Sequence, residues 1–299
     1  MERISTWILA VRPKTLWASL CPVILGSAVA LRDEGFHLPS ALAAMVCALL
    51  IQIGTNLAND YFDFKKGADS LERVGPTRVT QSCLLPPITV RNAAYGMFIL
   101  AFICGLYLLY RGGIPIFAIG ILSILSGILY TAGPIPLAYV GLGDIFVLLF
   151  FGPVAVGGTY YVQTLALKPD LILAGFSPGL IALAILAVNN VRDFAIDKKA
   201  GKNTLVVRFG ETFGKIEYTA SMIGAMLIPF FYMSFLKLWP FSVFILLFGT
   251  LGLAVFTIIK PFTTLWTQKG AVLNETLALT GLLLLTHTLL FSAVVLISK

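Results

Sequence analysis

The sequence predicts an all-α, multi-pass membrane bundle of about nine transmembrane helices, with two aspartate-rich cytoplasmic helix–loop motifs around one central cavity. Three observations carry that prediction. Hydrophobic residues make up 58% of the 299-residue chain and charged residues only 12%, with a mean hydropathy of +0.93; soluble domains carry about 25% charged residues. Apolar runs long enough to cross a bilayer recur from end to end. The 14 acidic residues are also unevenly spread, because Asp60, Asp63, Asp69, Glu72, Asp193 and Asp197 fall within or just after two short polar segments.

Crossing about 30 Å of hydrocarbon takes roughly 20 helical residues. Runs of that kind lie at about 16–32, 39–62, 91–110, 114–131, 143–166, 171–192, 214–236, 239–259 and 274–297. The chain, 1–299, reads as a single integral-membrane domain. Residues 1–15 place Ile4, Trp7, Ile8 and Val11 at near-helical spacing and predict an interfacial N-terminal segment. Gly105, Gly127, Gly157, Gly158 and Gly224 are expected at close helix contacts. Cys21, Cys47, Cys83 and Cys104 have no metal-ligand spacing and read as small packing residues. His37 reads as a loop residue outside the cytoplasm and His287 as a packed membrane-helix histidine.

Basic residues set the expected orientation. With nine spans, 16 of the 21 Lys and Arg residues fall on the side that holds the N-terminus and the loops after even-numbered spans. The positive-inside rule then puts the N-terminus and both acidic clusters in the cytoplasm, expected for a multi-pass protein of a bacterial inner or plasma membrane. The formal charge of +7 does not imply a nucleic-acid partner, since the basic residues are scattered between apolar segments.

The two clusters are Asn56-Leu-Ala-Asn59-Asp60-Tyr-Phe-Asp63 and Asn189-Asn190-Val-Arg192-Asp193-Phe-Ala-Ile-Asp197. Asn56, Asp60 and Asp63 stand at i, i+4 and i+7, and Asn189, Asp193 and Asp197 at i, i+4 and i+8. Each set therefore lies on one helix face. Carboxylates beside long apolar runs are costly unless solvated or bound to something. Hard oxygen donors suit Mg²⁺, which commonly bridges protein carboxylate to substrate phosphate. Lys65, Lys66, Arg73, Arg78, Lys198 and Lys202 follow closely and complement the remaining negative charge. A solvated loop of mixed charge is the plainer reading of one cluster alone; two matching clusters favour a shared site. A diphosphate held by metal is a good leaving group, and an apolar cavity shields the allylic cation left behind.

With these residues in view, the chain resembles the UbiA-type intramembrane aromatic prenyltransferases, which carry two aspartate-rich motifs on cytoplasmic helix–loop regions. Within that superfamily it is most similar to the 1,4-dihydroxy-2-naphthoate polyprenyltransferase branch of menaquinone biosynthesis. The resemblance rests on Arg12-Pro-Lys-Thr15, on Asn59-Asp60-Tyr-Phe-Asp63 through Gly67-Ala-Asp69 and Arg73-Val-Gly-Pro-Thr-Arg78, on Tyr130-Thr-Ala-Gly-Pro134 with Gly141-Leu-Gly-Asp144, and on Asn189-Asn-Val-Arg-Asp193 through Gly201-Lys-Asn-Thr204. Where many members of the superfamily have a third aspartate, this chain has Gly67, and Asp69 follows two residues later.

The resemblance implies an all-trans polyprenyl diphosphate as donor, 1,4-dihydroxy-2-naphthoate as acceptor, loss of CO2 and a product demethylmenaquinone, made in the lipid bilayer. It implies Mg²⁺ on Asp60, Asp63, Asp193 and Asp197, with Asp69 as a further candidate. Asn56, Asn59 and Asn189 would assist in substrate binding, and Lys65, Arg78, Lys198 and Lys202 would meet the diphosphate. Arg12, Lys14 or Arg192 would hold the acceptor carboxylate. Tyr130 is implied as a catalytic residue positioning or deprotonating a phenol; Asp144 fits that role or a helix N-terminal charge. A phytyl or other aromatic-acceptor prenyltransferase is the nearest alternative. An organic-anion transporter is the alternative from another class, and it would place charges nearer mid-membrane.

Overall fold

The computed structural model describes residues 2–68, 74–237, 241–253 and 258–298. Its helices are α1 Glu2–Val11, α2 Pro13–Arg32, α3 Leu38–Lys65, α4 Pro87–Leu129, α5 Gly143–Phe150, α6 Pro153–Thr164, α7 Asp170–Lys199, α8 Leu205–Phe209, α9 Glu211–Phe235, α10 Phe241–Leu253, α11 Ile259–Thr267 and α12 Leu273–Ile297. No strand occurs among the described residues. In hydrocarbon every backbone polar group needs a partner within the protein, and helices supply it locally.

Among the described residues, seven helical stretches are long and apolar enough to cross a membrane, so the chain is a multi-pass membrane protein. One of the seven, α4, has 43 residues; at 1.5 Å per residue that is about twice the hydrocarbon thickness. It breaks at Gly113, whose φ of 68° and ψ of −158° are not helical. Beyond the break the chain doubles back. A Cβ on Gly127 would lie 3.3 Å from the Phe98 ring, and Leu108 and Ile116 share one buried cluster. The two halves of α4 thus match the separate runs expected at 91–110 and 114–131. The run expected at 143–166 is divided at Gly152 into α5 and α6. The run expected at 239–259 falls only partly within the described residues, as α10.

At the centre stands α7. Its Ile181, Ala184, Ala187, Val188 and Val191 pack into a core shared with α2, α9, α11 and α12. The α5–α6 break lies directly against it, and there glycine is required. A Cβ on Gly152 would come 2.8 Å from the Gly175 carbonyl oxygen, and one on Gly175 would come 2.5 Å from Pro153 Cα. Of the glycines expected at close contacts, Gly127 and Gly224 make them, Gly158 has ordinary contacts, and Gly105 and Gly157 face open space. His287 is buried on α12, with Nε2 2.7 Å from Ser177 Oγ.

The N-terminal segment forms α1, with Ile4, Ile8 and Leu9 exposed along it. It ends at Arg12, which takes the left-handed φ of 55° just before Pro13 opens α2. That turn carries the Arg12 side chain toward α3.

Candidate active site

Both aspartate clusters occupy the C-terminal ends of long helices, α3 and α7, at the same end of the bundle as the α1–α2 turn. The four carboxylates are buried: Asp60 is 1% exposed, Asp63 2%, Asp193 7% and Asp197 7%. Each is met by donors or cations from this chain. Asp60 accepts the backbone N–H groups of Val79 (3.1 Å) and Thr80 (3.0 Å), with Arg12 at 3.9 Å. Asp63 accepts from Arg78 Nη2 at 3.1 Å and from the Tyr139 hydroxyl at 3.0 Å. Asp193 receives a two-pronged pair from Arg192 at 2.8 and 2.6 Å. Lys202 lies 3.6 Å from Asp197.

The amides are similarly placed. Asn56 donates to the Val11 carbonyl and to Thr15 Oγ1, both at 2.9 Å, fastening α3 to the α1–α2 turn. Asn59 Oδ1 accepts from Thr131 Oγ1, beside Tyr130. Asn189 Oδ1 accepts from Arg192 Nη2 at 2.5 Å, and Asn274 Oδ1 accepts from Arg192 Nη1 at 2.8 Å.

Between the two clusters opens a cavity of about 510 Å³. Arg12, Lys14, Arg78, Arg192 and Lys202 supply cations at its rim, with Asp63 and the amides of Asn56, Asn59 and Asn189 among them. Tyr130 lines it, its hydroxyl packed over Gly143, so a Cβ there would be 3.4 Å away. Deeper, the wall is apolar, with Val23, Ala48, Ile119, Phe146, Phe150 and Leu186. Asp60, Asp193 and Asp197 sit just behind the lining rather than on it. Lys65 and Lys198 are exposed and do not line the cavity; one position further on, Lys66 donates to the Thr131 carbonyl at 2.7 Å. Asp69 lies outside the described residues.

Lys202 is the link between the clusters. Burial pushes its ammonium down, but Asp197 and Asp63 outweigh this, with a smaller pull from Asp193, and hold it above the ordinary lysine value. Lys66 goes the other way: burial lowers it, and nearby Asp63 only partly opposes. Both cations approach the Tyr139 ring, Lys66 at 4.6 Å and Lys202 at 5.7 Å from its centroid.

Tyr139 and Asn274 are site residues that sequence reasoning missed. Tyr139 ends a short 3-10 turn, Leu137–Tyr139, without motif spacing. The Asn274-Glu275 pair opening the last apolar run is a polar signal that was there to be read.

Among the described residues, no three acidic, His or Cys side chains gather closely enough to form a ready-made metal group. The donor chemistry nevertheless fits a hard divalent ion. Buried carboxylates and amide oxygens stand on both sides of one cavity, now neutralised by the chain's own Lys and Arg.

The far end of the bundle carries a separate ionic network. Asp33, after α2, pairs with Arg32 (2.9 Å) and Lys168 (2.5 Å) and accepts the Tyr160 hydroxyl (2.9 Å). Arg32 also approaches Asp170 (3.9 Å) and donates to the Tyr232 hydroxyl (3.0 Å). Burial alone would raise the Asp33 carboxyl, but hydrogen bonds from Arg32, Lys168 and Tyr160 hold it below the ordinary aspartate value.

A membrane-embedded helical bundle, apolar in its depth and ringed by aspartate, asparagine and basic side chains at one end, defines an integral-membrane protein built for an amphiphile with an anionic head. Residues 19–264 match the UbiA prenyltransferase family, and the chain belongs to that family. It is 40% identical over 223 residues to the 1,4-dihydroxy-2-naphthoate octaprenyltransferase of Haemophilus influenzae, covering 72% of each chain. It is 38% identical over 232 residues to the Escherichia coli protein of the same name, covering 76% of this chain and 75% of that one. In fold it matches a UbiA homolog from Archaeoglobus fulgidus solved with GPP and Mg²⁺, with a TM-score of 0.64 and 16% identity, covering 97% of this chain and 99% of that one.

Proposed function

We propose that this chain, acting as one domain, transfers a polyprenyl group from an all-trans polyprenyl diphosphate to 1,4-dihydroxy-2-naphthoate, with loss of diphosphate and CO2. The observation that carries the reading is one cavity whose cationic rim lies between two buried aspartate clusters and whose depth is apolar. Similarity to enzymes named for that acceptor supports the choice of substrate.

In this reading the allylic C–O bond of the donor breaks and its electron pair leaves on the diphosphate. The ring carbon bearing the carboxylate bonds to the prenyl cation. Its bond to the carboxylate then breaks, CO2 departs, and the electrons return to the ring. The product is the hydroquinone form of demethylmenaquinone.

Asp60, Asp63, Asp193 and Asp197 would hold Mg²⁺, with Asn56, Asn59 and Asn189 beside them; Asp69 is kept as a further candidate. Such an ion neutralises charge on the departing diphosphate oxygens. Arg78 and Lys202, at the rim, meet the same oxygens with charge-assisted hydrogen bonds. Lys65 and Lys198, outside the lining, serve at most to draw the anion inward. Arg192 is engaged by Asp193, Asn189 and Asn274. We therefore assign the acceptor carboxylate to Lys14, with Arg12 beside it. Tyr130 offers its ring face to the cation and its hydroxyl to the acceptor. The cavity's charged groups gather at one end of the bundle, which fits an enzyme better than a transporter with charges near mid-membrane. Following the distribution of basic residues, the aspartate end and the N-terminus face the cytoplasm of a bacterial inner or plasma membrane.

The test uses purified protein in lipid with Mg²⁺ and a polyprenyl diphosphate. From 1,4-dihydroxy-2-naphthoate it should release CO2 and diphosphate in equal amounts, and chelator should stop both. 4-Hydroxybenzoate, with a smaller ring and one hydroxyl fewer, should be a poor acceptor. Brisk prenylation of 4-hydroxybenzoate with its carboxylate retained would overturn the naphthoate assignment.

A further inference from the structure

Six carboxamide side chains line the cavity: Gln52, Asn56, Asn59, Asn189, Asn190 and Asn274. Four are tied to the protein, Asn56 to the α1–α2 turn, Asn59 to Thr131, and Asn189 and Asn274 to Arg192. The other two are not. The side chains of Gln52, 9% exposed, and Asn190, 5% exposed, have no hydrogen-bond partner among the described residues. An unpaired amide is costly to bury in an apolar bundle, so one that faces a cavity points to a ligand that supplies its partner. The helices set the depth of each. Asn190 stands three residues inward of Asp193 on α7, and Gln52 eight residues inward of Asp60 on α3. At 1.5 Å per residue those are depths of about 4.5 Å and about 12 Å. One turn beyond each amide the lining becomes apolar, at Leu186 and at Ala48. The cavity therefore carries an uncharged hydrogen-bonding belt between its cationic rim and its apolar depth.

We propose that Gln52 and Asn190 bind the two hydroxyls of the aromatic acceptor and so select a para-dihydroxy ring. The inference rests on the prenyl-transfer reading above. With the acceptor carboxylate at Lys14 on the rim, the ring points inward. Asn190, the shallower amide, meets the hydroxyl beside the carboxylate, and Gln52 meets the hydroxyl across the ring. A carboxamide both donates and accepts, so each can hold a phenol in either sense, or a phenolate by donation alone. Neutral partners suit this task. A cation at that depth would draw the carboxylate past the rim, and a carboxylate there would repel it.

The experiment uses purified protein in lipid, as wild type, Gln52→Met and Asn190→Leu. It measures KM for 1,4-dihydroxy-2-naphthoate and for the donor, and inhibition by two analogues that each lack one hydroxyl. Gln52→Met should raise the acceptor KM by about tenfold or more and weaken 4-hydroxy-2-naphthoate to a similar degree. The same variant should change 1-hydroxy-2-naphthoate, which offers Gln52 nothing to hold, by less than about twofold. Asn190→Leu should give the reverse pattern, and the donor KM should stay within about twofold in both variants. Because each substitution removes an unpartnered amide, Tm should hold or rise, which a structural role for the amide would not allow. An unchanged acceptor KM in either variant, equal weakening of both analogues, or a Tm that falls together with acceptor affinity would overturn the belt and leave the prenyl-transfer reading standing. Wild-type protein inert toward 1,4-dihydroxy-2-naphthoate would overturn that reading, and the belt with it.

Discussion

Replacing Lys202 by Met keeps most of the side chain's length and removes the cation that joins the two aspartate clusters. The ammonium lies 3.6 Å from Asp197, with both side chains largely buried, at 18% and 10% exposed. At an effective dielectric of about 20, that separation gives roughly 4–5 kcal/mol of attraction. Desolvation offsets much of it, leaving a net contribution of about 1.5–3 kcal/mol, typical of a hydrogen bond to a charged group. If the same ammonium turns to the donor diphosphate, its loss should raise the donor KM by roughly 10–100-fold, at 1.4 kcal/mol per decade. The acceptor KM should change little. Without donor, Mg²⁺ should bind the variant more tightly, because a competing cation has left Asp197. Steady-state kinetics with each substrate varied, together with Mg²⁺ titration followed by thermal shift, read both effects. An unchanged donor KM, or a rise confined to the acceptor, would refute the assignment of Lys202 to the diphosphate.

Asp60→Asn and Asp193→Asn should each nearly abolish turnover in a folded protein, since under the proposed function each would remove an anionic oxygen ligand worth several kcal/mol to the transition state; near-normal turnover with either would remove that carboxylate from the site. In a cysteine-free background, Lys198→Cys and Lys168→Cys should react with a membrane-impermeant maleimide from opposite sides of sealed vesicles. Reaction from one side would contradict the orientation. The Asp33 carboxyl is held below its ordinary value of 3.8, so the far-end network stabilises the fold above that pH and loses its contribution as pH falls through the lowered value. The Tm difference between wild type and Asp33→Asn should therefore be constant from pH 7 to about 5 and vanish in stronger acid. A difference already lost by pH 5 would argue against the network.

The bundle was legible in the sequence because lipid imposes one rule on every span. An apolar run of sufficient length has to be a helix, and seven such stretches are present among the described residues. Its interruptions were less legible. Gly113 falls between the runs expected at 91–110 and 114–131, so that break coincides with an expected boundary. Gly152 and Pro153 lie inside the run expected at 143–166, yet α5 and α6 part there, where α7 approaches too closely for a side chain. The aspartates and their neighbouring asparagines announced themselves by type and spacing. Partner choice did not, because it depends on contacts across the bundle. Arg78 folds back onto Asp63 from a loop, Arg192 turns to its own neighbour Asp193, and Tyr139 reaches Asp63 from a stretch without a motif.

Those partnerships also explain how the chain carries four buried carboxylates. An uncompensated carboxylate in an apolar setting costs several kcal/mol, so each must have an internal partner before a ligand arrives. Two kinds of partner are present. Asp60 is met by backbone N–H groups and Asp193 by a two-pronged Arg192 contact. Arg78 on Asp63 and Lys202 near Asp197 are contacts from loop residues that also line the cavity. Under the proposed function, binding of a metal diphosphate at this rim would be an exchange of partners: Arg78 and Lys202 would turn to phosphate oxygens, and Asp63 and Asp197, so released, would join Asp60 and Asp193 in holding the ion.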